Sequence, residues 1–100
     1  MEEQNQKLIV VFGKHDYIVK NAQNLLSNGG YSVVGFVELE LARMYLSANP
    51  CDMLFFAGSV DPHDRIALSE AAQVDKPELK IHDHFGGPAT ILTEVQAKLA

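Results

Sequence analysis

Two unbroken apolar pentads, Leu8-Ile9-Val10-Val11-Phe12 and Met53-Leu54-Phe55-Phe56-Ala57, constrain this chain more than any other feature. Successive side chains of a strand point to opposite faces, so a strand with one wet face alternates apolar and polar residues. A run with no alternation needs cover on both faces. A central strand in a parallel sheet between two helix layers has that cover. Each pentad stops at a glycine, Gly13 and Gly58.

The rest of the chain supplies the covering layers. Ile18, Val19, Ala22, Leu25 and Leu26 recur at helical spacing, with Asp16 as the predicted N-cap and Gly29-Gly30 as the stop. Tyr31 to Val37, β-branched and aromatic, reads as a second strand. Leu39, Ala42, Tyr45 and Leu46 form a second helical stripe, ended by Asn49-Pro50. Asp61-Pro62 opens a third helix: a capping carboxylate, proline at the first helical position, and Asp64 in the first turn. Its predicted buried stripe is Ile66, Ala67, Ala71 and Val74, with a stop at Lys76-Pro77. Glu78 to Asp83 is a short, more polar fourth strand, and Gly86-Gly87-Pro88 opens a last helix carrying Ile91, Leu92, Val95 and Leu99 on one face. The order βαβαβαβα predicts an α/β fold: a three-layer, doubly wound parallel sheet of four strands in the order 2-1-3-4, its polar fourth strand at an edge. We expect one domain over residues 1–100, with a disordered tail at 1–6.

Composition excludes several functions. The net charge of −5 argues against nucleic-acid and anionic-membrane partners, which require clustered positive charge. A single cysteine, Cys51, cannot form an internal disulfide. No apolar run approaches the roughly 18 residues of a membrane span. The polar stretch Met1 to Lys7 lacks the apolar segment of a secretion signal, so a cytoplasmic location is expected. No cofactor is expected. Nor is catalysis: Ser59 and His63 stand in no nucleophile elbow. Cys51 is expected as an inert, half-buried thiol, and Asp52 as a turn residue.

From Lys7 onward the pattern resembles the receiver domain of bacterial response regulators, a flavodoxin-like fold. Lys7-Leu8-Ile9-Val10-Val11 is similar to the first receiver strand, Pro50-Cys51-Asp52-Met53-Leu54-Phe55-Phe56 to the third with its Pro-x-Asp opening, and Gly87-Pro88 to the family's Lys-Pro dipeptide with the lysine lost. The resemblance implies two acidic cation ligands after the first strand and a nucleophilic aspartate ending the third. Here those positions carry Phe12, Gly13 and Ala57. None offers an oxygen to a hard cation or an attacking carboxylate to a phosphoryl group. The family is also about 20 residues longer, with five βα units. The implied reading is a shortened, degenerate receiver lacking the phosphoacceptor, which acts as a protein-interaction or regulatory module. Receivers commonly pair through the last helix and nearby strands, so a homodimer is expected. Candidate contacts are Met44, Tyr45, Ile91, Leu92 and Val95, flanked by Thr90, Thr93 and Gln96.

A second reading places a ligand beyond the carboxyl ends of the strands. All four histidines fall in segments expected to meet there. A transition-metal site would draw on His15, His63, His82 and His84, with Asp61 or Asp64. His82 and His84 share a face only if the fourth strand extends that far. An anion site would use Lys14, His15, Ser59, His84 and the backbone of Gly86-Gly87 at a helix start. The plain alternatives are polar loops, a glycine turn, and a His84 that packs beside Phe85.

Overall fold

The computed structural model describes residues 7–58, 60–74, 76–84 and 88–99. Its elements run β1 (Leu8–Phe12), α1 (Asp16–Asn28), β2 (Ser32–Phe36), α2 (Leu39–Ala48), β3 (Met53–Ala57), α3 (Pro62–Gln73), β4 (Lys80–His84), a 3-10 turn (Pro88–Thr90) and α4 (Ile91–Leu99). The four strands are parallel in the order β2-β1-β3-β4. Both pentads occupy the centre, and all five residues of β3 are buried. The expected disordered tail at 1–6 lies outside the described residues.

Each central strand feeds two cores. Ile9, Val11, Met53, Phe55 and Ala57 face α1 and α4, where Val19, Ala22, Leu26, Ile91 and Val95 close over them. Val10, Phe12, Leu54 and Phe56 face α2 and α3, against Ala42, Leu46, Leu68 and Ala72. Phe12 and Phe56 meet edge to face, 6.5 Å between ring centres, a favourable arrangement for aromatic pairs.

Local chemistry differs from expectation at three places. Asp16 is the first residue of α1 rather than its cap; His15 holds the extended cap position without a side-chain bond. Gly29-Gly30 does stop α1, with Gly30 at φ 98°, which glycine adopts without a Cβ penalty. On α3, Leu68 and Ala72 are the buried pair, while Ile66 and Val74 are exposed. The stripe is rotated because α3 packs beside α2 as well as on the sheet, and its apolar residues surround the axis. Asp52 is no mere turn residue. Its carboxylate accepts from the Leu8 N–H at 2.8 Å, and its own N–H donates to the Leu8 carbonyl at 2.8 Å, tying the starts of β1 and β3 together. The Asp61 cap forms as expected, accepting from the His63 N–H at 2.8 Å.

Candidate functional site

The carboxyl ends of β1 and β3 define the position at which ligands bind in open parallel sheets. Here it is apolar. Phe12 is buried among the aromatics under α2 and α3, and Ala57 is buried under α1. Gly13 lies so close to both that a Cβ there would stand 2.8 Å from the Ala57 carbonyl oxygen and 2.9 Å from a Val19 methyl. The backbone thus leaves no room for an acidic side chain at Gly13 as it stands.

Polar chemistry gathers one strand further out. β4 extends to His84, so His82 and His84 point to the same face, toward α4. Both rings meet Glu94 of α4. The His82 Nε2 lies 2.6 Å from Glu94 Oε1 and the His84 Nδ1 lies 3.0 Å from the same oxygen. Thr90 donates its hydroxyl to Oε2 at 2.6 Å. Bonds from Thr90, then His84 and His82, hold the Glu94 carboxyl down at about 2, well below the ordinary carboxylate range. At neutral pH Glu94 is therefore a pure acceptor, and both imidazoles present N–H groups to it. His84 is buried and stacks on Phe55, 5.9 Å between ring centres; His82 tilts against the same ring at 5.5 Å. In the core His84 packs on Phe55; Phe85, the expected neighbour, lies outside the described residues.

A cleft of about 480 Å³ opens beside this cluster, lined by Tyr17, Ile18, Asn21, Ala57, Gly58, His84 and Ile91. It spans the ends of β3 and β4 and the first turns of α1 and α4.

The remaining candidates scatter. Lys14 and His15 are exposed ahead of α1, where His15 stacks on Tyr17 at 5.7 Å. His63 is exposed in the first turn of α3, whose buried residues serve the opposite core. The four-histidine set therefore resolves into one pair and two surface residues, and neither Asp61 nor Asp64 joins the pair: His82 and His84 cluster with Glu94. Ser59, Gly86 and Gly87 lie outside the described residues. The start of α4 carries the Glu94 carboxylate, which opposes an anion there. Glu94 was not among the sequence candidates. Its one signal was a carboxylate next to Val95, on the edge of the last apolar stripe. Cys51 is half-buried, and burial pushes its thiol up, as an inert cysteine requires.

A response regulator receiver protein from Pseudomonas putida has a crystal structure that superposes on this chain with a TM-score of 0.68, at 17% identity, over 98% of this chain and 83% of that one. The fold is receiver-like. A fusion carrying a yeast Spc42 trimeric coiled-coil segment matches with a TM-score of 0.61 at 17% identity, over 96% of this chain and 65% of that one. A de novo designed Rossmann fold protein matches at 0.54 and 13% identity, over 94% and 98%. Likeness at this identity concerns the fold, and a shared fold does not imply a shared activity. No protein-family model and no curated protein matches the sequence.

Proposed function

We propose that the chain is a receiver-like signalling module that works through protein contacts rather than by accepting a phosphoryl group. One observation carries this reading. The positions where a receiver needs oxygen ligands and a nucleophile hold Phe12, Gly13 and Ala57, packed so closely that an acid at Gly13 would strike the Ala57 backbone. Phosphoryl transfer depends on positioned oxygens and a cation bridging them, and an apolar strand end supplies neither. Incubation with acetyl phosphate and Mg²⁺ tests it: intact mass should show no phosphoryl adduct, and a hydroxylamine-labile adduct overturns the proposal.

A second copy of the chain is the proposed partner. Six large apolar residues stand more than a third exposed among the described residues; Val37, Leu41, Met44, Ile66 and Val74 flank or belong to α2 and α3, and Tyr17 alone lies elsewhere. Clustered apolar exposure of this kind marks interaction surfaces. The expected contacts on the last helix move accordingly: Ile91 and Val95 are buried in the chain's own core, Leu92 packs against that core, and Tyr45 rests on Phe36. Met44, at 61% exposure, is available for such a contact. Sedimentation across concentrations should show a dimer that Leu41→Glu with Met44→Glu dissociates. A monomer at every concentration would refute self-association.

A further inference from the structure

We propose that His82, His84 and Glu94 form a three-ligand site for a divalent transition metal, with Zn²⁺ the best-fitting ion and a fourth position open to the neighbouring cleft. The inference is independent of the phosphoryl-transfer reading: it concerns β4 and α4, not the ends of β1 and β3.

The geometry starts from the strand. Residues 82 and 84 are two apart on one face, so their rings rise side by side toward α4. His82 offers its far nitrogen, Nε2, and His84 its near one, Nδ1. That pairing brings both to a single point at Glu94 Oε1, and one donor atom from each of the three residues lies within 4.8 Å of the others. Zinc binds imidazole nitrogen at about 2.0–2.1 Å and carboxylate oxygen at about 2.0–2.2 Å. A tetrahedral ion spreads its donors to about 3.3 Å, so the carboxylate must retreat by about 0.3–0.7 Å, a side-chain rotation on a partly exposed helix residue. Each imidazole then gives the metal the nitrogen that now donates to Glu94. Its proton moves to the ring's other nitrogen or to solvent, so the ligand is neutral imidazole.

The surroundings are already organised for such a site. Thr90 holds Oε2, which fixes the carboxylate with Oε1 toward the rings. Phe55 stacks against both imidazoles, and His84 is almost wholly buried. The same residue lines the cleft, so a fourth position has an entry path and space for water or a small ligand. Two nitrogens and one oxygen favour zinc and its first-row neighbours over Mg²⁺ and Ca²⁺, which prefer all-oxygen shells.

The test is calorimetric titration of the chelator-stripped full chain with ZnSO₄, with MgCl₂ as the contrast. We expect one Zn²⁺ per chain, a raised Tm, and no response to Mg²⁺. Glu94→Gln and His82→Gln keep the side-chain volumes and should each weaken Zn²⁺ at least tenfold with an unchanged far-ultraviolet spectrum. Thr90→Val, one shell out, should cost roughly tenfold. His15→Ala with His63→Ala should bind like the parent. Imidazole ¹⁵N spectra of the unaltered chain give a reading that no folding defect can confuse: zinc should move the His82 and His84 nitrogens. Absence of saturable binding, binding undiminished by Glu94→Gln and His82→Gln, or zinc shifts confined to His15 and His63 would each overturn the site.

Discussion

The strand β4 builds two polar bridges, one on each face of the sheet, and they differ in kind. Toward α3, Asp83 takes both Arg65 Nε, at 2.7 Å, and the guanidinium Nη2, while Arg65 lies over the Phe56 ring. That pair is substantially exposed, with side chains at 41% and 27%. Toward α4, the bridge is drier on the histidine side, His82 at 15% and His84 at 4%, while Glu94 stands at 31%. Water screens the first bridge and competes for its bonds, so it contributes little to stability. Loss of Glu94 from the second takes a bond from the buried His84 ring. A neutral imidazole also tolerates burial in a way a guanidinium does not, and it can bind a metal. One edge strand therefore carries a solvated clamp on one side and a candidate site on the other.

The largest effect of a single substitution belongs to the core that the Arg65–Asp83 bridge overlies. Phe56→Ala empties the aromatic centre beneath α2 and α3 and should lower stability by about 3–5 kcal/mol in urea titration. A loss under 1 kcal/mol would mean that the Arg65–Asp83 side, not the aromatic packing, holds that face. Next comes the attempt to build an acidic pocket at the ends of β1 and β3. Gly13→Asp with Ala57→Asp should cost several kcal/mol, about 1–3 for each crowded site plus the burial of charge. It should yield no phosphoryl adduct in the mass assay, because backbone, not only side chains, fills the space. His84→Ala should cost about 1–3 kcal/mol through the Glu94 and Phe55 contacts it abandons. Asp83→Ala should cost less than about 1 kcal/mol. If these two ranked the other way, the contrast between dry and wet bridges would fail.

The smallest effect is seen in acid. Glu94 ionises at about 2 in the folded chain, against 4.5 without its partners. The folded state binds fewer protons there, so the contribution of Glu94 is complete above about pH 4.5 and fades as pH falls toward 2. Glu94→Gln should flatten that part of the curve of urea midpoint against pH and leave the neutral branch parallel to the parent. An unchanged acid slope would show that the bonds from Thr90, His84 and His82 do not hold the carboxylate.

Much of the fold was legible in sequence for reasons that particular residues show. Leu8–Phe12 and Met53–Ala57 match β1 and β3 residue for residue, since an all-apolar pentad has one stable home. Gly30 and the Asp61-Pro62 pair marked helix ends by backbone rules that act within a few residues. The α3 stripe differs from the one expected because Ile66, Ala67, Leu68, Ala71, Ala72 and Val74 fit more than one face, and the sheet together with α2 selects Leu68 and Ala72. That Phe12, Gly13 and Ala57 carry no side-chain oxygen can likewise be read directly, as side-chain identity is local information.

The sequence alone determined the layers, the strand order and the lack of side-chain carboxylates at the ends of β1 and β3, because hydrophobic period and residue type act over short spans of chain. Tertiary structure alone decided that two of four histidines converge, and that they converge on Glu94. Those partners are 10 and 12 residues apart. Their meeting depends on how α4 crosses back over β4, which no local pattern encodes.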